Sequence, residues 1–166
     1  MATIAAGKNA PGFSLKGMDG KPSTLKDALE HGPVVAAFFK ISCPVCQFTF
    51  PFLERLYQRY GGKDIAFWGV SEDDAGETKN FAKEYGVTFP MLLDEKKNGY
   101  PASNAYGLTN VPSIFLIEPD GNVKVSCIGF DKKELEKIAA HLAERQKIPP
   151  AALFRTDESV PDYKPG

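Results

Sequence analysis

The chain predicts an α/β domain built on a mainly parallel, mixed sheet with helices on both faces. Three observations carry this. Val34-Val35-Ala36-Ala37-Phe38-Phe39 is an apolar run without polar alternation, which reads as a strand buried on both faces. Apolar strands then alternate with helix-period patterns, the order that gives parallel crossovers. Last, Pro119-Asp120-Gly121-Asn122 is a turn signal between two strand-like runs, so an antiparallel hairpin closes one edge. At 166 residues the chain suits one domain, long enough to bury a core without disulfide staples.

In order, Ala10 to Leu15 reads as a short edge segment with Phe13 and Leu15 facing inward. Met18 to Lys21 is a turn by its Asp-Gly pair. Ser23 or Thr24 caps a short helix through Leu25, Ala28 and Leu29, which stops at Gly32-Pro33. The Val34–Phe39 strand follows. The next helix runs from the cysteine motif to about Tyr60, with Phe48, Phe52 and Leu56 at fourfold spacing. Pro51 falls inside it and predicts a kink. Ile65 to Val70 is the second apolar strand, Gly76 to Tyr85 a helix, and Phe89 to Leu93 a short strand. The segment 94–109 reads as loop with one or two helical turns. Val111 to Ile117 and Val123 to Gly129 form the hairpin. Lys132 to about Lys147 is amphipathic, with Leu135, Ile138, Ala139 and Leu142 on one face. The reading divides the chain into a domain over 1–148 and a Pro-rich tail over 149–166. That tail either drapes over the domain through Leu153, Phe154 and Tyr163 or stays disordered.

The chemistry sits in Lys40-Ile41-Ser42-Cys43-Pro44-Val45-Cys46-Gln47. A buried strand delivers two cysteines to the start of a helix. Proline is favoured at the first helical position because its missing N–H would be unpaired there anyway. Pro44 at that position makes Cys43 the N-cap and puts Cys46 one turn in. First-turn N–H groups and the positive helix end then favour a Cys43 thiolate, the nucleophile of disulfide exchange. Cys43 is expected to attack and Cys46 to resolve. Two other readings are half of a zinc site and a pair of inert structural thiols. Structural zinc usually takes four ligands, and the chain has one further cysteine and two histidines.

Net charge is −1, which leaves no electrostatic footprint for nucleic acid. No apolar stretch is long enough to span a membrane. Met1 to Gly7 has neither a basic n-region nor an apolar h-region. This points to the cytoplasm for the chain as written, and to the periplasm or another extracytoplasmic site where an export signal has been removed. No metal, nucleotide or flavin motif is visible, so no cofactor is expected.

With these elements in order the chain resembles the thioredoxin superfamily. The carriers are the apolar strand into Cys43-Pro44-Val45-Cys46, the Val111-Pro112 step and the Ile117-Glu118-Pro119-Asp120-Gly121 hairpin. More closely it is similar to TlpA/ResA-type thiol–disulfide oxidoreductases and the redoxin (AhpC/TSA-like) group. Ala10 to Leu15, Gly20-Lys21…Leu25 and Pro51 fit that group. The resemblance covers about residues 10 to 145. It implies a thioredoxin-like fold, a central mixed sheet flanked by helices, with an N-terminal extension and a C-terminal tail. It implies a cis Val111–Pro112 bond facing the cysteines, with the Val111 backbone offered to an extended peptide. It also implies a protein or small-molecule disulfide as substrate and a separate dithiol partner that recycles the pair.

Several family positions differ. The buried Asp six residues before the first cysteine is Ala37, the Trp before it is Ser42, and the Glu three residues after the second cysteine is Thr49. Cys46 thus lacks an evident base. Water, Thr49 as a relay, or a carboxylate from Glu72, Asp73 or Asp94 are the options. Lys40 lies three residues before Cys43, where an ammonium would favour a thiolate. Cys127 reads as a small packed residue. A peroxidase reading meets Ala36 and Lys40 where peroxiredoxins resemble Pro-x-x-x-Thr/Ser-x-x-Cys, and finds no assigned arginine. A third reading is a non-enzymatic binding module with a static disulfide.

Overall fold

In the computed structural model, which describes residues 3–62 and 64–166, seven strands form one mixed sheet. The elements are β1 (Ser14–Gly17), β2 (Pro22–Thr24), α1 (Leu25–Leu29), β3 (Val34–Phe39), α2 (Pro44–Tyr60), β4 (Ala66–Ser71), α3 (Ala75–Tyr85) and β5 (Met91–Leu93). After a 3₁₀ turn (Lys96–Asn98) come α4 (Pro101–Ala105), β6 (Ser113–Ile117), β7 (Val123–Ile128), β8 (Phe130–Asp131), α5 (Lys132–Gln146) and β9 (Tyr163–Lys164). Strand order is β2-β1-β5-β4-β3-β6-β7, and β8 pairs with β9 in a separate small sheet.

β3 is the central strand of this order and explains its own composition. It runs parallel to β4 and antiparallel to β6. Val35, Ala37 and Phe39 point into one apolar core, and Val34, Ala36 and Phe38 into the other. A strand with two buried faces has no use for alternation. On the first face Phe39 packs on Phe50 and Phe81 at centroid distances of 4.4 and 4.7 Å. This locks α2, which carries the cysteines, onto the sheet. On the second face Phe38 meets Tyr106 and Phe115 at 5.2 and 5.7 Å.

The sequence pattern misplaces two features. β1 is not an edge strand. It lies between β2 and β5, and β2 takes the edge. β2 went unread because its three residues include a proline and owe their extended form to the β1 partner. Phe89-Pro90 is not strand, and β5 begins at Met91. α2 runs from Pro44 to Tyr60 with Pro51 inside it, as the pattern predicts. The N-terminal extension is held along the hairpin, with Gly7 N–H donating to Val123 O and Ala10 N–H to Gly121 O, both at 2.8 Å.

Residues 149–166 lie against the domain. Leu153 and Phe154 are buried, and Phe154 stacks on Phe52 and Phe130 at 5.0 and 5.9 Å. Tyr163 is 53% exposed. The clamp is Glu158, which receives both Arg55 terminal nitrogens at 2.7 and 2.6 Å and Arg155 N–H at 2.8 Å. The Arg55 guanidinium, helped by the Arg155 amide, holds this carboxyl down at about 2. In the unfolded chain it titrates near the ordinary glutamate value of about 4.3. Between those values the unfolded chain binds the extra proton, so the clamp's stabilisation is complete above the higher value and is lost as pH falls through the lower. Protection of the amides over residues 153–158, relative to their intrinsic exchange at each pH, should therefore fall as pH drops from about 4.3 toward 2, and Glu158→Gln should abolish that dependence. Protection that stays flat in the wild type would remove Glu158 as the clamp.

Candidate active site

The two cysteines sit where β3 hands over to α2. Cys43 N–H donates to Lys40 O at 3.2 Å and closes a tight turn after the strand. That turn is braced from two sides. Asp73 Oδ2 accepts the Ile41 N–H at 2.8 Å, and Gln47 Nε2 donates to Ile41 O at 2.8 Å. Cys43 is the N-cap of α2, Pro44 occupies the first helical position, and Cys46 N–H donates to Cys43 Sγ at 3.2 Å. The capping geometry follows from the motif itself, because an extended residue before an N1 proline is what a helix start accepts.

Val111–Pro112 is cis and faces the pair. Cys43 Sγ donates to Val111 O at 3.4 Å. The two thiols are 3.0 Å apart and not bonded. Cys43 is half-buried and Cys46 fully buried. Burial first, then the Cys43 side chain, pushes the Cys46 thiol well up. Cys46 therefore cannot form its thiolate at neutral pH without a proton acceptor.

The candidate acceptors separate on their partners. Thr49 is buried, and its hydroxyl donates to Val45 O at 2.6 Å, one turn back in its own helix. Asp94 is fully buried and satisfied by Ala102 N–H at 2.9 Å, Ser103 N–H at 2.8 Å and Ser103 Oγ at 2.6 Å. It fixes the start of α4. Asp73 holds the Ile41 amide. Glu72 is different. Its side chain is 12% exposed, and buried Oε2 has no hydrogen-bond partner among the described residues. Lys40 Nζ stands 3.8 Å from that oxygen. Burial raises the Glu72 carboxyl, the Lys40 charge opposes that, and its negative charge adds to the upward push on Cys46. The Lys40 ammonium thus pairs with Glu72. The placement is a register effect: Ser71 pairs with Phe39, so the residues that follow each strand end, Glu72 and Lys40, leave the sheet side by side.

Cys127 lies fully buried on β7, with Sγ 3.6 Å from Gly129 O, and burial pushes it up to about 12. It is a packed, inert thiol. No group of three or more His, Cys, Asp or Glu able to hold a metal occurs among the described residues. No helix among them is long and apolar enough to cross a membrane. Sequence reasoning missed the bracing by Asp73 and Gln47, and missed the approach of the tail to Val111: Asn110 Nδ2 donates to Gly166 O at 3.1 Å. Nothing local to those residues signals these contacts.

Comparison with known proteins agrees with this geometry. The AhpC/TSA family profile matches residues 6–126. Thiol-disulfide oxidoreductase ResA of Bacillus anthracis is 33% identical over 129 residues, 77% of this chain and 72% of that protein. Thioredoxin-like protein YneN of Bacillus subtilis is 32% identical over 139 residues, 81% of this chain and 78% of that protein. The thioredoxin domain of a thiol-disulfide oxidoreductase from Bacteroides vulgatus superposes with a TM-score of 0.73 at 21% identity, covering 84% of this chain and 98% of that one. At that identity the likeness speaks for the fold.

Proposed function

Given that the chain belongs to the AhpC/TSA family and is a thiol–disulfide oxidoreductase, we propose that it works as a reductant of disulfides, with Cys43 attacking and Cys46 resolving. The observation that carries the reading is the asymmetry of the pair: Cys43 half-buried at a helix N-cap beside the Val111 carbonyl, Cys46 fully buried behind it.

In the first step the Cys43 thiolate attacks one sulfur of the substrate disulfide. The S–S bond breaks, the second sulfur leaves as a thiolate, and a mixed disulfide forms. In the second step Cys46 loses its proton and attacks Cys43 Sγ, releasing the other substrate sulfur as a thiolate. The substrate has gained two electrons and the Cys43–Cys46 pair has lost them. A separate dithiol returns the pair to its reduced form.

Glu72 is the acceptor we assign to the Cys46 proton. With both groups ionised, two negative charges would oppose each other, each partly shielded from water. Moving the proton from Cys46 to Glu72 leaves a single charge there, and burial, which raises the Glu72 carboxyl against the opposing Lys40 charge, makes it a better proton acceptor than an exposed carboxylate. Thr49 supports α2 through its bond to Val45 O, and Pro44 sets the helix start.

The direction of transfer rests on the contacts made by Cys43 Sγ. Strong oxidants of this chemistry are strong because their reduced form is stabilised. Here Cys43 Sγ receives one N–H, from Cys46, and the Lys40 ammonium is paired with Glu72. Equilibration with dithiothreitol and glutathione buffers should give a potential nearer the thioredoxin value of about −270 mV than the oxidant value of about −120 mV. A value at the oxidising end reverses the direction, and absence of exchange overturns the function. A peroxidase has no support from the arginines: Arg55 is bonded to Glu158 and Leu153 O, and Arg59 to Pro149 O.

A further inference from the structure

The last four residues run into the site just described. β9 pairs antiparallel with β8, placing Lys164 opposite Phe130 and Tyr163 opposite Asp131. Lys132 N–H donates to Asp162 O at 2.9 Å and extends the pairing. Lys164 Nζ stands 4.7 Å from the ring centroid of Phe48, two residues beyond Cys46 on α2. Gly166 then comes to rest against the Val111 carbonyl, the same oxygen that Cys43 Sγ reaches at 3.4 Å, and Asn110 Nδ2 bonds its carbonyl at 3.1 Å.

Two glycines make this approach possible. A Cβ on Gly129, whose φ is +75°, would stand 2.5 Å from Lys164 O and 3.0 Å from Gly166 N. A Cβ on Gly166 would run into Val111 O and stand 3.0 Å from Val111 C. The segment is thus an extended backbone laid between β8 and Val111, with side-chain-free residues at both points of closest contact. That is how an added strand is read: main chain for affinity, few side chains for choice.

We propose that residues 163–166 occupy the docking track of a polypeptide substrate, so that an extended polypeptide disulfide reaches Cys43 only by displacing them while a small disulfide does not need to. The inference rests on the exchange function proposed above. It makes the tail an internal competitor, and the apparent affinity for a polypeptide falls by the fraction of time the track is vacant. It also accounts for the apolar anchor upstream: Leu153, Phe154 and the Arg55–Glu158 clamp keep the strap close to the track when its end lifts off.

Two measurements on the full chain test it. In the first, Gly166→Val, which drives a side chain into the Val111 carbonyl, and Lys164→Glu, which removes the contact on Phe48, are assayed against insulin and against hydroxyethyl disulfide. With the track vacant about one-tenth of the time in the native chain, kcat/KM for insulin should rise about tenfold through KM, and the small disulfide should be unaffected. In the second, Cys46→Ser protein is trapped as a mixed disulfide with a cysteine-containing octapeptide or with 2-mercaptoethanol. Amide exchange over residues 162–166 should rise in the peptide adduct and not in the small one. Equal protection in the two adducts, or an unchanged insulin rate with normal turnover of the small disulfide, overturns the proposal and leaves the exchange function standing. Failure with both disulfides overturns the function, and this inference with it.

Discussion

Cys46→Ser should stop turnover after a single event. The protein should accumulate as a mixed disulfide through Cys43, visible as a mass adduct that dithiothreitol removes. Resolution in the native chain is intramolecular, with the two sulfurs 3.0 Å apart. Well-oriented intramolecular groups reach effective molarities of about 10⁵ M and above, so an external thiol at millimolar concentration does not replace Cys46. The steady-state rate should fall by about 10³-fold or more. Cys43→Ser should give no adduct at all, because Cys46 is buried and its thiol is held protonated by that burial. An adduct that forms on Cys46 in the Cys43→Ser protein would exchange the two roles.

Glu72→Gln should slow the resolving step while leaving the attack of Cys43 intact. Positioned acid–base groups contribute roughly 10²–10⁴-fold, and the lower end is expected here because the Glu72 side chain keeps 12% exposure, so water can compete. Single-turnover kinetics separates the steps: the mixed disulfide forms at the native rate and decays about 100-fold more slowly. The rate of decay should recover as pH rises toward the range where Cys46 loses its proton unaided. The same substitution should stabilise the fold at neutral pH. Burial raises the Glu72 carboxyl in the folded chain. The folded state then binds the extra proton between the unfolded and folded values, so stability is highest below that window and declines as pH rises through it. Glutamine escapes the decline. A variant that is more stable and slower only in resolution marks a group kept for chemistry at the expense of the fold. Unchanged decay would hand the proton to water and leave Glu72 as a partner of Lys40 alone.

The sequence by itself determined the elements whose cause is local. Six apolar residues without alternation make β3 a doubly buried strand. Pro44 at the first helical position makes Cys43 a cap and sends Cys46 inward, and the Asp120-Gly121 turn folds β6 onto β7. Each follows from period, capping or turn chemistry within a dozen residues. Only the tertiary structure decided what depends on residues far apart in the chain. β2 and β9 are too short to declare themselves and exist because β1 and β8 lie alongside. Glu72, Asp73 and Asp94 look alike as letters. What separates them is which backbone amides reach each carboxylate: Ala102 and Ser103 satisfy Asp94, Ile41 engages Asp73, and Glu72 Oε2 has no hydrogen-bond partner among the described residues and faces the Lys40 charge. The path of residues 163–166 to the Val111 carbonyl has the same origin. A tail without periodicity acquires a place only when a groove of the right depth, cleared by Gly129, already exists to receive its backbone.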